Sequence, residues 1–462
     1  MSTFRIKPGI LILIYAISLS SNVTDARTIY VDHLIDRPDC STYDQNSRTS
    51  TGGRFQCFRN LQPALEYADY GDTILIREGF YPEKMVIDID SEKEGILQIS
   101  NFGNEIVSID GNNPRQGPLI AINSDRVIIA GLRVNHSMSF GIISRGTRSI
   151  RIENCEVSYS NDGGIVFVDA WDINVTGCKV HHNNYRGLEA AHEAISMHNV
   201  HGFEVAFCEV FDNKEEGIDG KYGSKDGHIH HNRVYRNNGP NIYIDKANQI
   251  DVFNNEIHDA VSKAGISLNI ESSWHKEGLA WTLQNVHIYN NLIYNNSGGI
   301  GFWLEDSGGP ELQSKWDDIH IFNNTIVDNA RKGEERGGGI YILNLNPWNF
   351  GGNISIRNNL FSGNINEISK TLWNRRDNGL FENITIDHNL FISGEDSDTF
   401  GSNPLIVKVA GFRDPRGYDF RLTPVSEAIN AGTITEYPRF DLMDHPRPFG
   451  TTPDIGAFEF SQ

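Results

Sequence analysis

One short pattern recurs along this chain: an alternating strand, a single small or amide residue, then a second short strand. It reads IIAGLRV at 128–134, IENCEV at 152–157, VTGCKV at 175–180 and VAFCEV at 205–210. It continues as IHHNRV, VFNNEI, IYNNLI, IFNNTI, IRNNLF and finally IDHNLF at 386–391. The pivots are Gly131, Cys155, Cys178, Cys208, Asn232, Asn255, Asn291, Asn324, Asn359 and Asn389, spaced by 24, 23, 30, 24, 23, 36, 33, 35 and 30 residues. No unit of this size buries its apolar face alone, so units that repeat at this period stack. A further strand, usually opening with Gly-Ile, falls between pivots: GIISR at 141, GIVFV at 164, GIDGK at 217, GISLN at 265 and GIYIL at 339. Short alternating strands without a helical period predict an all-β solenoid, a parallel β-helix of about ten to twelve rungs.

Stacking has a consequence for polar residues. Rungs about 4.8 Å apart place equivalent side chains in columns. An Asn column at a tight interior bend bonds both to the backbone and to the next Asn, so it can be buried. Cys155, Cys178 and Cys208 occupy the same column and read as small buried thiols, not as a metal site. Cys40 and Cys57 flank a polar, glycine-containing loop and are the expected disulfide.

The ends of a solenoid need caps, because open sheet edges aggregate. Residues 27–100 supply the first cap and first rungs, with TIYV at 28–31, an amphipathic segment Leu61–Ala68 and GDTILIREGFYPEKMVI at 71–87. Residues 101–395 form the repeats that carry the site, and 396–462 the C-terminal cap. Residues 1–26 read as a secretory signal. Arg5 and Lys7 precede the apolar run Ile10–Leu19, which is too short to span a bilayer. The chain is therefore expected outside the cytoplasm, secreted, cell-surface or periplasmic, as a monomer. With 40 Lys+Arg against 60 Asp+Glu, its formal charge of −20 argues against a nucleic-acid partner.

These residues resemble the right-handed parallel β-helix superfamily of secreted carbohydrate-active proteins. GDTILIREGFYPE resembles its common N-terminal rung. DFRLTPVSEAINAG at 419–432 with HPRPFGTTPDIGAFE at 445–459 resembles a C-terminal cap frequent in bacterial members. Gly79-Phe80-Tyr81-Pro82-Glu83 also fits the opening signature of pectin methylesterases. That family's downstream acid pair is missing, so the match is read as cap geometry. The Asp-Asp and Gly-His-Gly signatures of β-helix polygalacturonases are absent. Glu215-Glu216-Gly217-Ile218-Asp219 resembles the calcium-binding acidic cluster of polysaccharide lyase family 9, with Glu193 as the ligand from the preceding rung. The resemblance implies a lysine base, for which Lys221 is the candidate, although in that family the lysine follows on a later rung.

Strand alternation lists the outward face without coordinates. With Ile195, Ile218, Ile242 and Ile266 inward, one outward column is Ser196, Asp219, Tyr243 and Ser267, and the other is His198, Lys221, Asp245 and Asn269. Glu271, Trp303 and Glu305 project further along and are candidates for substrate binding with Asn269. Cleaving a polyuronate by β-elimination needs a cation on the uronate carboxylate, a base for the C5 proton and an acid for the leaving oxygen. Glu193, Glu215, Glu216 and Asp219 are expected to hold Ca2+ through hard oxygens. Lys221 is the expected base if neutral, Tyr243 or His198 the acid, and Asp245 a further member of the patch. The expectation is a secreted polysaccharide lyase acting on an acidic polysaccharide. Two other readings stay open: a non-catalytic glycan-binding or surface structural β-helix, and a glycoside hydrolase using two of Asp219, Asp245, Glu271 and Glu305.

Overall fold

The computed structural model describes residues 26–461 apart from 55, 112–116, 272–280, 305–314, 331–336, 345–351 and 370–383. The predicted signal segment, except Ala26, and Glu305 lie outside the described residues. Three long sheets, of fifteen, thirteen and eleven strands, hold nearly all of the described strands. Each rung contributes one strand to each sheet. Trp171–Thr176 belongs to the fifteen-strand sheet, Lys179–His181 to the thirteen-strand sheet and Ile195–His198 to the eleven-strand sheet, and His201–Ala206 then begins the next rung. All pairings between successive rungs are parallel, as in Ile195↔Ile218 and Ile218↔Ile242. Parallel crossovers of this kind wind right-handed. The eleven strands of the third sheet agree with the rung number expected from the repeat.

The pivot column is the amide ladder that the spacing predicts. Asn232, Asn255, Asn291, Asn324 and Asn359 each donate from Nδ2 to Oδ1 of the next Asn at 3.0–3.1 Å. Each also donates to a carbonyl of the rung before, as Asn232 does to Val205 at 2.8 Å. The cysteines continue the same column: the Cys208 N–H donates to Asn232 Oδ1 at 2.9 Å, and all three thiols are buried.

A second ladder, not foreseen, runs along the bend between the thirteen- and eleven-strand sheets. It passes from Asn183 through Asn213 and Asn237 to Asn241, then through Asn296 and Asn329 to Asn364. It explains the Gly-Ile openings. A Cβ at Gly217 would lie 2.4 Å from the Asn241 carbonyl oxygen and 2.8 Å from Asn237 Nδ2, so the ladder leaves no room for one.

The N-terminal cap is a short helix, Leu61–Tyr67, that buries Leu61, Ala64 and Leu65 against the first rungs. Asn60 makes no side-chain cap. Instead Glu83, from the GFYPE motif, accepts the Leu61 N–H at 3.1 Å. The motif thus has a structural task at the helix N-terminus. The disulfide Cys40–Cys57 is present, between antiparallel strands of this cap.

The C-terminal segment does more than close an end. Its strand Leu405–Val407 extends the thirteen-strand sheet, but the chain then runs back along the solenoid. Asn358, Asn323, Asn290 and Asn254 stand at left-handed turns (φ 52–53°) on successive rungs. Their amides donate to the carbonyls of Thr433, Asp454, Phe440 and Asp441. Phe420, Ala457 and Phe458 pack on Leu292, Tyr294 and Val327. Among the described residues no helix is long and apolar enough to cross a membrane.

Truncating a ladder residue orphans several buried groups at once. Asn324→Ala removes donors to Ile288 O, Phe322 O and Asn359 Oδ1 and the acceptor of Asn291. We expect a loss of about 3 kcal/mol or more in urea unfolding, at about 1–3 kcal/mol for each orphaned buried group.

Candidate functional site

The eleven-strand sheet brings the predicted columns together. His198, Lys221, Asp245, Asn269 and Trp303 are direct neighbours on successive strands, as are Ser196, Asp219, Tyr243 and Ser267. Glu193 and Glu216 stand just before the strands Ile195–His198 and Ile218–Lys221. The face is far less exposed than the alternation alone implies. Asp219 and Asp245 are 0% exposed, Lys221 6% and His198 8%.

Lys221 is the centre of the cluster. Its Nζ lies 3.0 Å from Asp219 Oδ2 and in direct contact with Glu193 Oε1. Asp219 also accepts from the Met197 N–H at 2.9 Å and from Ser196 Oγ at 3.1 Å. Burial opposes the charge on Lys221, but Asp219, Glu193 and Glu216 outweigh it and hold the ammonium well above its ordinary pKa. Burial likewise opposes the charge on Glu193, yet Lys221 and Asp219 draw it down to about 2. Asp219 moves the other way, raised by burial and by Glu193, and Glu216 is pushed up to about 8 by the same two causes. The cluster therefore favours the charged form of Lys221 and Glu193 and disfavours it on Asp219 and Glu216.

These contacts bear on two expectations. The neighbouring acids do not favour the neutral form that a base role for Lys221 requires. Nor do Glu193, Glu215, Glu216 and Asp219 form a calcium cage as arranged. Their oxygens are of the right hard type, and Glu193 Oε2 and Glu215 Oε1 are buried without a donor. Lys221, however, already stands between Glu193 and Asp219, and among the described residues no three His, Cys, Asp or Glu side chains converge on a metal position.

The other candidates are placed as follows. His198 is pushed down to about 3 by burial and by the charges of His192 and Lys221, so its ring is neutral. His192, at 5.3 Å ring to ring from His198, is pushed down to about 4 by burial. Tyr243 is 4% exposed, and its phenol is raised by burial and by Asp245 and Glu271. Asp245 accepts the Glu271 N–H at 3.2 Å and is a supporting group. Asn269 accepts from Ser267 at 2.6 Å, and Trp303 lies 5.4 Å below Lys263 Nζ.

Two further residues enter the site. Tyr222 is half-buried, 5.1 Å ring to ring from His198, with Lys221 Nζ at 5.4 Å and Lys246 Nζ at 4.6 Å from its ring. Lys246 is fully buried, bonds the Glu271 carbonyl at 2.6 Å and lies 3.7 Å from Asp245. Both residues follow strand ends, at left-handed turns with φ of 54° and 46°, where alternation no longer tells direction. Only the geometry of that turn turns them back over the face.

Two measurements check this electrostatic picture. Lys221→Met leaves Glu193 without its counter-charge. Urea unfolding should show a loss of about 3–5 kcal/mol at pH 7 and a smaller one at pH 5, where the acids take up protons. His192 and His198 are depressed from 6.5 to about 4 and about 3. The stability they contribute is present above the unfolded value and is lost as pH falls from 6.5 toward 4. Imidazole NMR resonances of both rings should remain those of the neutral form at pH 5.

With the geometry established, the likenesses to known proteins become informative about fold. The family model described as "Right handed beta helix region" matches residues 119–277. The chain is 27% identical over 456 residues to the uncharacterized protein YwoF of Bacillus subtilis (strain 168), covering 86% of this chain and 92% of that one. Among solved structures, the A-module of the mannuronan C-5 epimerase AlgE6 of Azotobacter vinelandii aligns with a TM-score of 0.54 at 14% identity, over 75% of this chain and 92% of that one. Pectate lyase Pel9A aligns with a TM-score of 0.47 at 13% identity, over 95% and 97%. Strand order, parallel register and the matched repeats lead to one conclusion: this chain is a right-handed parallel β-helix protein.

Proposed function

We propose that the protein is an exported enzyme acting on an acidic polysaccharide, and that its reaction begins by removing the proton α to a uronate carboxylate. The observation that carries the reading is one cluster: the Lys221 ammonium, the neutral His198 imidazole and the Tyr222 ring, side by side on adjacent rungs at the rim of a buried acidic group. Two neighbours in fold are named for such polymers, a mannuronan C-5 epimerase and a pectate lyase. Epimerisation at C5 and β-elimination share their first step, loss of the C5 proton.

Each group has a part in that step. Lys221 neutralises the uronate carboxylate and stabilises the charge that develops as C5 loses its proton. His198 receives the proton. Its low proton affinity comes from burial and the positive charge of Lys221, and a bound uronate carboxylate raises it toward the working range. The Tyr222 phenol, still protonated at neutral pH because burial raises it, donates to the departing glycosidic oxygen. Trp303 with Lys263 offers an aromatic surface and a cation for a neighbouring sugar. Export agrees with the apolar leader in the sequence and with the disulfide.

Calcium dependence separates the two forms of this proposal. A Lys221-centred reaction survives chelation. A reaction abolished by chelator and restored by calcium returns Glu193, Glu215, Glu216 and Asp219 to the role of metal ligands.

The mature chain should be tested on a panel of uronic-acid polymers, following both ultraviolet absorbance from unsaturated ends and inversion at C5 by NMR. His198→Ala and Lys221→Ala should each lower kcat about 10²–10⁴-fold, and Tyr222→Phe should suppress elimination more than proton exchange at C5. New reducing ends without absorbance would indicate a hydrolase, and glycan retention without any product would indicate a binding protein. Either outcome overturns the proposal.

A further inference from the structure

The outward face that carries Lys221 continues on the N-terminal side of His198. Beside the strand Ile195–His198 lies Ile165–Val168, and beside that Ile142–Arg145. Their register runs Arg145↔Val168↔His198↔Lys221, so Arg145 stands in the same outward column as His198 and Lys221. Strands about 4.8 Å apart put its backbone about 10 Å from that of His198 and about 14 Å from that of Lys221.

Two features mark this stretch. The first is apolar. Ile143, Val166 and Val168 lie on the outward side, yet they form a hydrophobic cluster of their own, with Phe140 packed against it. Phe140 is 5.8 Å ring to ring from His192, which is 5.3 Å from His198, so the shelf is continuous with the site. The second is the charge at its edge. Arg145 is exposed, and among the described residues it takes part in no ion pair. Elsewhere on the outer surface an acid on a neighbouring rung holds the arginine, as Glu156 holds Arg133 and Asp212 holds Arg236. The rung after Arg145 offers it Val168 instead, which cannot neutralise it. Its charge reaches the site: beside burial and Lys221, Arg145 disfavours the imidazolium of His192.

An arginine left open beside a site attracts anions locally even in a chain of formal charge −20. A guanidinium takes a carboxylate through two parallel hydrogen bonds, and the C–H face of a sugar ring packs on apolar side chains. About 14 Å is more than one sugar ring spans, so a carboxylate on Arg145 belongs to a different sugar from the one on Lys221. We propose that Arg145 holds the carboxylate of a second acidic sugar over the Ile143–Val166–Val168 shelf, so that the substrate is a run of uronates laid along the solenoid axis and not a lone uronate among neutral sugars. This inference rests on the proposed reading of the Lys221 site and gives that site its substrate class.

The test titrates the full mature chain by calorimetry with hexamers and dimers of mannuronate and of galacturonate, and follows turnover of the hexamers in parallel. Arg145→Gln should weaken binding of the bound hexamer about threefold to tenfold. It should leave dimer binding, kcat and melting temperature at their wild-type values, as expected for loss of uniform binding at a distant sugar. Arg145→Lys should recover part of the hexamer affinity. Arg151→Gln, which removes the same charge from the fifteen-strand sheet, should change nothing. The inference is overturned if Arg145→Gln binds the hexamer as wild type does, if Arg151→Gln weakens it equally, or if the dimer loses as much as the hexamer. A wild type that neither binds nor turns over any of these oligomers overturns the proposed function and this inference together. Wild-type turnover with an indifferent Arg145→Gln overturns this inference alone.

Discussion

The structure depends on the satisfaction of buried amides by their own repeats. An Asn at an interior bend has two donors and an acceptor to place where water does not reach. Stacking places them all: each Asn gives one proton to the rung behind and one to the Asn ahead. An Asn shifted by one residue would leave the column and orphan its partners on both sides. The apolar interior tolerates exchanges among Ile, Val and Leu, but the two ladders fix the register of every rung. Chemistry on the outer face requires that fixity, because Lys221 and His198 are 23 residues apart and meet only if the register holds.

The same regularity sets the electrostatics of the site. Strands about 4.8 Å apart bring Glu193, Asp219 and Lys221 into contact on neighbouring rungs, in a place where water cannot screen them. Three buried acids around one ammonium cannot all be ionised. The charge is therefore unequally favoured: Lys221 favours it on Glu193, while burial and Glu193 disfavour it on Asp219 and Glu216. In the proposed reaction, such a site would meet an anionic sugar with a positive charge beside an imidazole whose protonation burial disfavours.

The C-terminal strap shows how the fold handles its outer bends. Asn254, Asn290, Asn323 and Asn358 adopt left-handed turns on the outside, and their amides are then free to hold another segment. The strap takes up those donors with its carbonyls and covers the aromatic column at Tyr294 with Phe420 and Phe458. Residue types that favour a turn have become its anchoring points.

The repeat alone determined a good deal. Rung number, the pivot ladder, the buried thiols and both outward columns were legible because strand alternation and stacking are strict periodic rules, and a periodic rule can be read from one dimension. The second ladder was written in the sequence too, at Asn183, Asn213 and Asn237, but loops of unequal length separate those residues from the strands and hide their common phase. Only the tertiary structure decided the states of the site. The sequence places Lys221 near acids without saying whether its ammonium or a metal ion neutralises them. Burial, and the approach of Glu193 from the rung before, favour the ammonium. Tyr222 and Lys246 were equally undecided, since a left-handed turn after a strand reverses side-chain direction and alternation ends there. Pattern fixed which residues are neighbours; desolvation and turn geometry, which depend on the whole packed molecule, settled what each of them is able to do.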